Sequence, residues 1–266
     1  MAGSTTPKVI FIMADYGHDP TETAVPFTAF KDAGLDISFA TETGKQPECD
    51  KKMLEGMTQK LLGADASAIS AYKAMLQHPS IRSPISWSSP DFTLEPYNLV
   101  FFPGGHEKGV RQVIDSPIIH SHVAKYFPQT LCSAAAGNVT GDGKKAVGAV
   151  CHGVMVLSSS VYPAGTSNAG KSVLHDVDTT ALPATFEKVA YYGTKLWLGD
   201  YYKTYGAGSE NVQDSVTKVL DDKSQFKNYV GMSPFVVEDK RYRYVSARFP
   251  GDAKLLSKKL VQLVKG

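Results

Sequence analysis

Ala146-Val147-Gly148-Ala149-Val150-Cys151-His152-Gly153-Val154-Met155-Val156-Leu157 is the stretch that decides the fold. Its first five residues are small or branched and uninterruptedly apolar, the pattern of a strand buried on both faces. The apolar run after Gly153 suits a buried helix, so Cys151 stands at a strand-to-helix turn. A turn of this kind holds its central side chain in a sparsely populated backbone conformation at the carboxyl end of a sheet. The neighbouring helix N-terminus carries partial positive charge, which favours thiolate over thiol. The competing interpretation makes Cys151 one more buried small residue, because free cysteine is among the most buried types.

The same strand-then-turn pattern recurs on the N-terminal side. Lys8-Val9-Ile10-Phe11-Ile12-Met13 reads as a buried strand, and Asp19-Pro20-Thr21-Glu22 opens a helix that runs to Asp32 and stops at Gly34. Asp36 to Ala40 reads as a second strand, and Asn98 to Phe102 as a third that ends in Pro103-Gly104-Gly105-His106. Alternating strands and helices predict an α/β fold with a mostly parallel central sheet. Between the second and third strands, residues 43–95 form an insertion with helical patterns near Lys52 to Leu61 and Ser67 to Leu76 and a Pro/Ser-rich run, Ser83 to Pro90. It is expected to cover the sheet edge or roof a site. Towards the C-terminus, extended segments at Phe235-Val236-Val237 and Tyr242 to Ala247 precede a helix that sets Leu256, Leu260 and Leu263 or Val264 on one face.

With 266 residues, 42% of them apolar, the chain has material for one large α/β domain over 1–266. Its 28 basic and 26 acidic residues are dispersed and leave a net charge of +2, which argues against nucleic acid or an anionic membrane as partner. Met1 to Pro7 is polar and Val9 to Ala14 is only strand-length, so neither a signal peptide nor a membrane span is expected. Cys49, Cys132 and Cys151 are odd in number and far apart, which fits a reduced, cytoplasmic protein.

Gly104 and Gly105 let backbone amides approach a ligand, and beside the Cys151 turn they make an oxyanion hole plausible. Glu22 lies in the first helical turn, and Pro26 cannot donate to its carbonyl; a distortion there would aim Glu22 at the strand ends. Taken alone, Glu22 is better read as an ordinary acidic residue complementing the helix dipole at a solvent-exposed N-terminus. His120 and His122 point apart on a helix, and His18, His78 and His175 carry no distinguishing feature, so no metal site is expected. Trp87 and Trp197 are read as packing residues rather than substrate platforms.

Taken in order, Thr21-Glu22-Thr23-Ala24-Val25-Pro26-Phe27, Thr41-Glu42-Thr43-Gly44-Lys45, Gly104-Gly105-His106 and Ala149-Val150-Cys151-His152-Gly153 resemble motifs of the DJ-1/PfpI superfamily, most closely its Hsp31-like branch with the fungal glyoxalase III enzymes. The resemblance spans essentially the whole chain. It implies a flavodoxin-like sandwich with helices on both faces, and a catalytic Cys151 paired with His152 and close to Glu22. A third acid would orient the histidine, best matched by Glu187 with Asp178 as fallback, although Phe186 stands where the family usually has glycine. Gly105 and His106 would serve the substrate or its oxyanion. The implied activity is a cofactor-free lyase of the hydro-lyase class that converts methylglyoxal, a small electrophilic carbonyl compound, to lactate. A holdase chaperone with a redox-sensing Cys151, or a cysteine-dependent hydratase for another small electrophile, is the alternative. Members of such a family are commonly homodimers.

Overall fold

The computed structural model describes residues 6–132 and 145–266, so most of the polar Met1 to Pro7 stretch lies outside the described residues. Strands β1 (Lys8–Ile12), β3 (Asp36–Thr41), β6 (Leu99–Phe102) and β7 (Ala146–Val150) fall where the apolar runs predict them. Two of the remaining strands, β2 (Tyr16–His18) and β4 (Glu48–Cys49), are too short for any periodicity to show. The others are β5 (Ile85–Ser86), inside the Pro/Ser-rich run, then β8 (Val236–Glu238) and β9 (Tyr244–Ala247). Among the described residues the main sheet has seven strands in the order β5-β3-β1-β6-β7-β9-β8, parallel throughout except for β8 against β9.

The helices are α1 (Pro20–Asp32), α2 (Gly56–Leu62), α3 (Ala66–Met75), α4 (Pro79–Arg82), α5 (Arg111–Ile114), α6 (Pro117–Tyr126), α7 (Gly153–Ser159), α8 (Ala184–Leu198), α9 (Val212–Thr217) and α10 (Ala253–Lys265). Side chains alternate along β1 and β6 and thereby feed two cores. Val9, Phe11, Leu99 and Phe101 meet Phe27 and Phe30 of α1, Tyr72 and Met75 of α3, and Leu256 and Leu260 of α10. Ile10, Ile12, Val100 and Phe102 meet Ile119 and Val123 of α6, and Val154 and Leu157 of α7. Helices therefore cover both faces of a mostly parallel sheet, a flavodoxin-like α/β architecture.

From β1 the chain moves to β3 on one side, and later returns to β6 on the other side. The strand order reverses there, and in open α/β sheets the crevice beyond the carboxyl ends at such a reversal is where ligands bind. Three segments converge on it: the turn after β1 that leads into α1, the glycine turn after β6, and the Cys151 turn after β7. The small β2-β4 sheet fixes the first of these. Asp50 donates its amide to the His18 carbonyl (3.0 Å), and Asp19 donates its amide to the Gly104 carbonyl (2.9 Å).

Residues 43–95, expected to cover the sheet edge or roof a site, reach the sheet edge and build structure of their own. They supply β4, α2, α3, α4 and the edge strand β5. Trp87 of this segment is fully buried and is a packing residue, as its sequence suggests.

Candidate active site

Cys151 has φ 56°, the one left-handed non-glycine backbone among the described residues. That conformation costs a non-glycine residue about 1–2 kcal/mol. Its surroundings hold it there, since its amide donates to the Ala247 carbonyl (3.1 Å) while α7 starts two residues later. The residue is 6% exposed and lines a cavity of about 460 Å³.

Glu22 is completely buried. Its side chain enters the site although α1 runs unbroken through Pro26, so no break in the helix is needed to aim it. Asp19 caps α1 by accepting from the amides of Thr21 (2.8 Å) and Glu22 (3.0 Å), and this sets the first turn beneath the glycine loop. Glu22 Oε2 accepts the Gly104 amide (3.0 Å). Oε1 has no conventional partner, and the carboxyl's remaining close neighbour is the Cys151 sulfur. A Cβ on Gly104 would lie 2.6 Å from Glu22 Oε2 and 2.7 Å from both Cys151 Cβ and the Val150 carbonyl oxygen. Only glycine allows these three groups to meet.

Burial and the negative potential of Asp19 push the Glu22 carboxyl well above its ordinary range. Burial and Glu22 likewise push the Cys151 thiol well up, with the His152 amide opposing. The sequence expectation that a helix N-terminus lowers this thiol is therefore corrected: α7 has only seven residues, and desolvation outweighs its dipole. Both groups are thus biased towards their protonated, uncharged forms.

His152 is the titratable nitrogen base placed against the thiol. Its Nδ1 lies 3.4 Å from Cys151 Sγ and its Nε2 lies 2.9 Å from Thr204 Oγ1. Thr204 donates its single hydroxyl proton to the His106 carbonyl (2.8 Å), so towards His152 it can only accept. Nε2 therefore carries the ring proton and Nδ1 presents a bare lone pair to the thiol. Burial lowers the His152 pKa to about 4, so the ring is neutral in ordinary buffers.

The group on the far side of His152 is a hydroxyl rather than a carboxylate. Glu187 is buried close by, but its Oε1 accepts from Lys203 Nζ (2.8 Å) and its Oε2 from the Val212 amide (2.9 Å). It acts on the ring through space and has no hydrogen bond to it. The fallback, Asp178, pairs with Lys227 (3.0 Å). Thr204 escapes sequence reasoning because an isolated threonine in a tyrosine-rich turn has no motif; the Tyr201-Tyr202-Lys203-Thr204 segment places it. Thr204→Val should leave the Nε2 proton unsatisfied and lower kcat about 10-fold with KM little changed, and Thr204→Ser should restore it. In the wild type the ¹⁵N shifts of His152 should report protonation at Nε2.

Gly105 and His106 both line the cavity. The His106 ring is stacked on Tyr202 (centroids 4.3 Å apart) and edge-on to Tyr201, and burial lowers its pKa to about 3, so it is neutral. His18 is buried against the Tyr72 hydroxyl (3.2 Å), His120 bonds to the Ile114 carbonyl, and His122 packs on Phe92. Among the described residues no group of three or more His, Cys, Asp or Glu is arranged to hold a metal ion, and no helix is long and apolar enough to cross a membrane.

An ordered glutamate, glycine turn and cysteine elbow at one sheet crevice can be compared with known proteins. The sequence matches the ThiJ/PfpI family-like description over residues 13–234. The chain belongs to the ThiJ/PfpI family. The DJ-1/PfpI resemblance seen in its motifs is thus borne out. A Schizosaccharomyces pombe family relative described as uncharacterised is 26% identical over 259 residues, covering 97% of this chain and 84% of its own. The ThiJ/PfpI fold here is similar to that of the Rapid Encystment Protein 24 kDa of Francisella tularensis (18% identity, 98% and 100% of the two chains, TM-score 0.65). It is also similar to glyoxalase III from Candida albicans (16% identity, 97% of each chain, TM-score 0.60).

Proposed function

We propose that the protein is a cofactor-free lyase that converts a 2-oxoaldehyde, with methylglyoxal as the simplest case, to the 2-hydroxy acid. The observation that carries this is the pair of proton carriers flanking one thiol: the unprotonated Nδ1 of His152 at 3.4 Å from Sγ, and the buried carboxyl of Glu22, held on one oxygen by the Gly104 amide and biased by burial towards its protonated form. A glyoxalase III with the same fold supports it.

Since the resting thiol is protonated, attack on the aldehyde carbon must be coupled to loss of the S–H proton. Nδ1 of His152 takes that proton as the S–C bond forms and returns it to the aldehyde oxygen, which gives a hemithioacetal. The amides of Gly105 and His152 are the candidates for steadying the transient oxyanion, since the Cys151 amide is already committed to the Ala247 carbonyl. His152, free again, removes the C1 proton while the Glu22 carboxyl protonates the C2 oxygen, producing an enediol. Return of a proton to C2 and loss of the C1 hydroxyl proton leave a thioester of the 2-hydroxy acid. Water hydrolyses it, the thiol reforms, and the sum is aldehyde plus water to hydroxy acid. Proton transfer does all the work, so the residues present suffice.

A redox-sensing cysteine is less well supported. Oxidation to sulfenate and sulfinate favours an exposed, acidic thiol, whereas Cys151 is nearly closed off and its thiol is raised. The test is lactate production from methylglyoxal without glutathione, with Cys151→Ser as the control; no lactate from the wild type would refute the proposal.

A further inference from the structure

The cavity above Cys151 is much larger than a three-carbon aldehyde requires. About 460 Å³ falls in the range of sites for drug-sized ligands, whereas methylglyoxal would leave room for many waters against apolar walls. One wall is a single face of α8. Phe186, Val189, Ala190, Gly193, Thr194 and Trp197 recur at helical spacing and all line the cavity. This amphipathic helix thus turns a largely apolar stripe towards empty space. Its spacing is legible in the sequence, where Trp197 reads as a packing residue; the structure moves it to the cavity.

The opposite rim adds Leu61 and Leu62 at the end of α2, and Met232 from the loop before β8. Leu61 is 62% exposed, Val189 66%, Trp197 53% and Met232 74%. Large apolar side chains left in water around one mouth mark a binding surface. The Met232 loop is held by buried Arg248, which donates to the carbonyls of Tyr229, Gly231 and Ser233 and pairs with Asp252 (2.8 Å). Cys151 lines this same space, so an occupant of the apolar walls is continuous with the chemistry.

We infer that the preferred substrate is a 2-oxoaldehyde with a bulky apolar arm, aryl or long-chain alkyl, whose carbonyl carbons meet Cys151 and Glu22 while the arm lies along the α8 face. This rests on the 2-oxoaldehyde chemistry proposed above. Burying one ring's worth of apolar surface favours such a substrate over methylglyoxal by about 10-fold or more in kcat/KM, mostly through KM.

Gly193 provides the test. A Cβ built on it meets nothing within 4 Å, so a larger residue there fills cavity without a clash and strengthens the helix. kcat/KM is measured for phenylglyoxal and methylglyoxal, with mandelate and lactate as products, in wild type, Gly193→Ala and Gly193→Leu. The phenylglyoxal-to-methylglyoxal ratio should be about 10 or more in the wild type, intermediate in Gly193→Ala, and about 10-fold lower in Gly193→Leu. A wild-type ratio near one, or a ratio unmoved by Gly193→Leu, overturns the inference. A Gly193→Leu protein that changes its oligomeric state and keeps the ratio assigns the face to a second copy of the chain, which also overturns it. Should neither aldehyde be consumed, the proposed chemistry fails; binding to the Cys151→Ala protein then decides the cavity alone, with mandelate tighter than lactate sustaining the apolar-arm preference and equal binding ending it.

Discussion

Cys151→Ala should reduce 2-hydroxy acid formation by on the order of 10⁴-fold or more, because in the proposed mechanism the substitution removes the atom to which the substrate is bonded through every later step. The remaining machinery cannot compensate. His152 Nδ1 and the Glu22 carboxyl are arranged about the sulfur and would face a methyl group. Folding should survive, since Cβ stays in place and alanine is smaller than cysteine. Cys151→Gly provides a second control. It should be equally inactive yet more stable than Cys151→Ala by about 1 kcal/mol, because glycine adopts φ 56° without the penalty that alanine bears. Thermal melts of the two variants beside activity assays separate the loss of chemistry from any loss of fold.

Glu22→Gln should lower kcat by about 10²-fold or more and at the same time raise stability at neutral pH. The amide keeps the size of the carboxyl and can still accept the Gly104 amide, but it cannot give and retake a proton. The sign of the stability change follows from linkage. Glu22 titrates well above 4.5 in the folded protein and near 4.5 in the unfolded chain, so the folded state binds more protons between those values. Stability contributed at this position is therefore lost as pH rises from 4.5 towards the folded value. The Glu22→Gln protein has no such loss, so its advantage in melting temperature should appear above pH 4.5 and vanish below it. A variant that is both slower and more stable cannot owe its defect to unfolding. If Glu22→Gln were as active as wild type, the carboxyl would have no part in proton transfer.

The sheet was legible because β1, β6 and β7 are apolar runs and β3 carries Ile37, Phe39 and Ala40 between Gly34 and Gly44, and the candidate site was legible where a backbone constraint leaves a residue signature. Gly104 and Cys151 are of that kind: one position admits no Cβ, and the other is a left-handed turn between strand and helix. Glu22 was legible only through the resemblance of Thr21 to Phe27 to a family motif, since its place in the first turn of α1 fits an ordinary dipole-complementing acid better. What remained hidden has no local signature. Thr204 reaches His152 from 52 residues away, and its role depends on where the His106 carbonyl lies. The assignment of Glu187 as the third acid does not anticipate Lys203, whose ammonium occupies that carboxylate. The raised thiol of Cys151 was hidden for the same reason, since desolvation depends on everything packed above the turn, whereas the dipole of α7 is visible from sequence alone.

The most direct measurement is a mass balance: wild-type protein, dialysed against chelator and freed of small thiols, is mixed with methylglyoxal, and lactate formed is compared with aldehyde consumed. Lactate equal to the aldehyde consumed, at a rate unchanged by chelator and by the absence of glutathione, is the predicted result. Aldehyde that persists, or that disappears into protein adducts without releasing lactate, would contradict it.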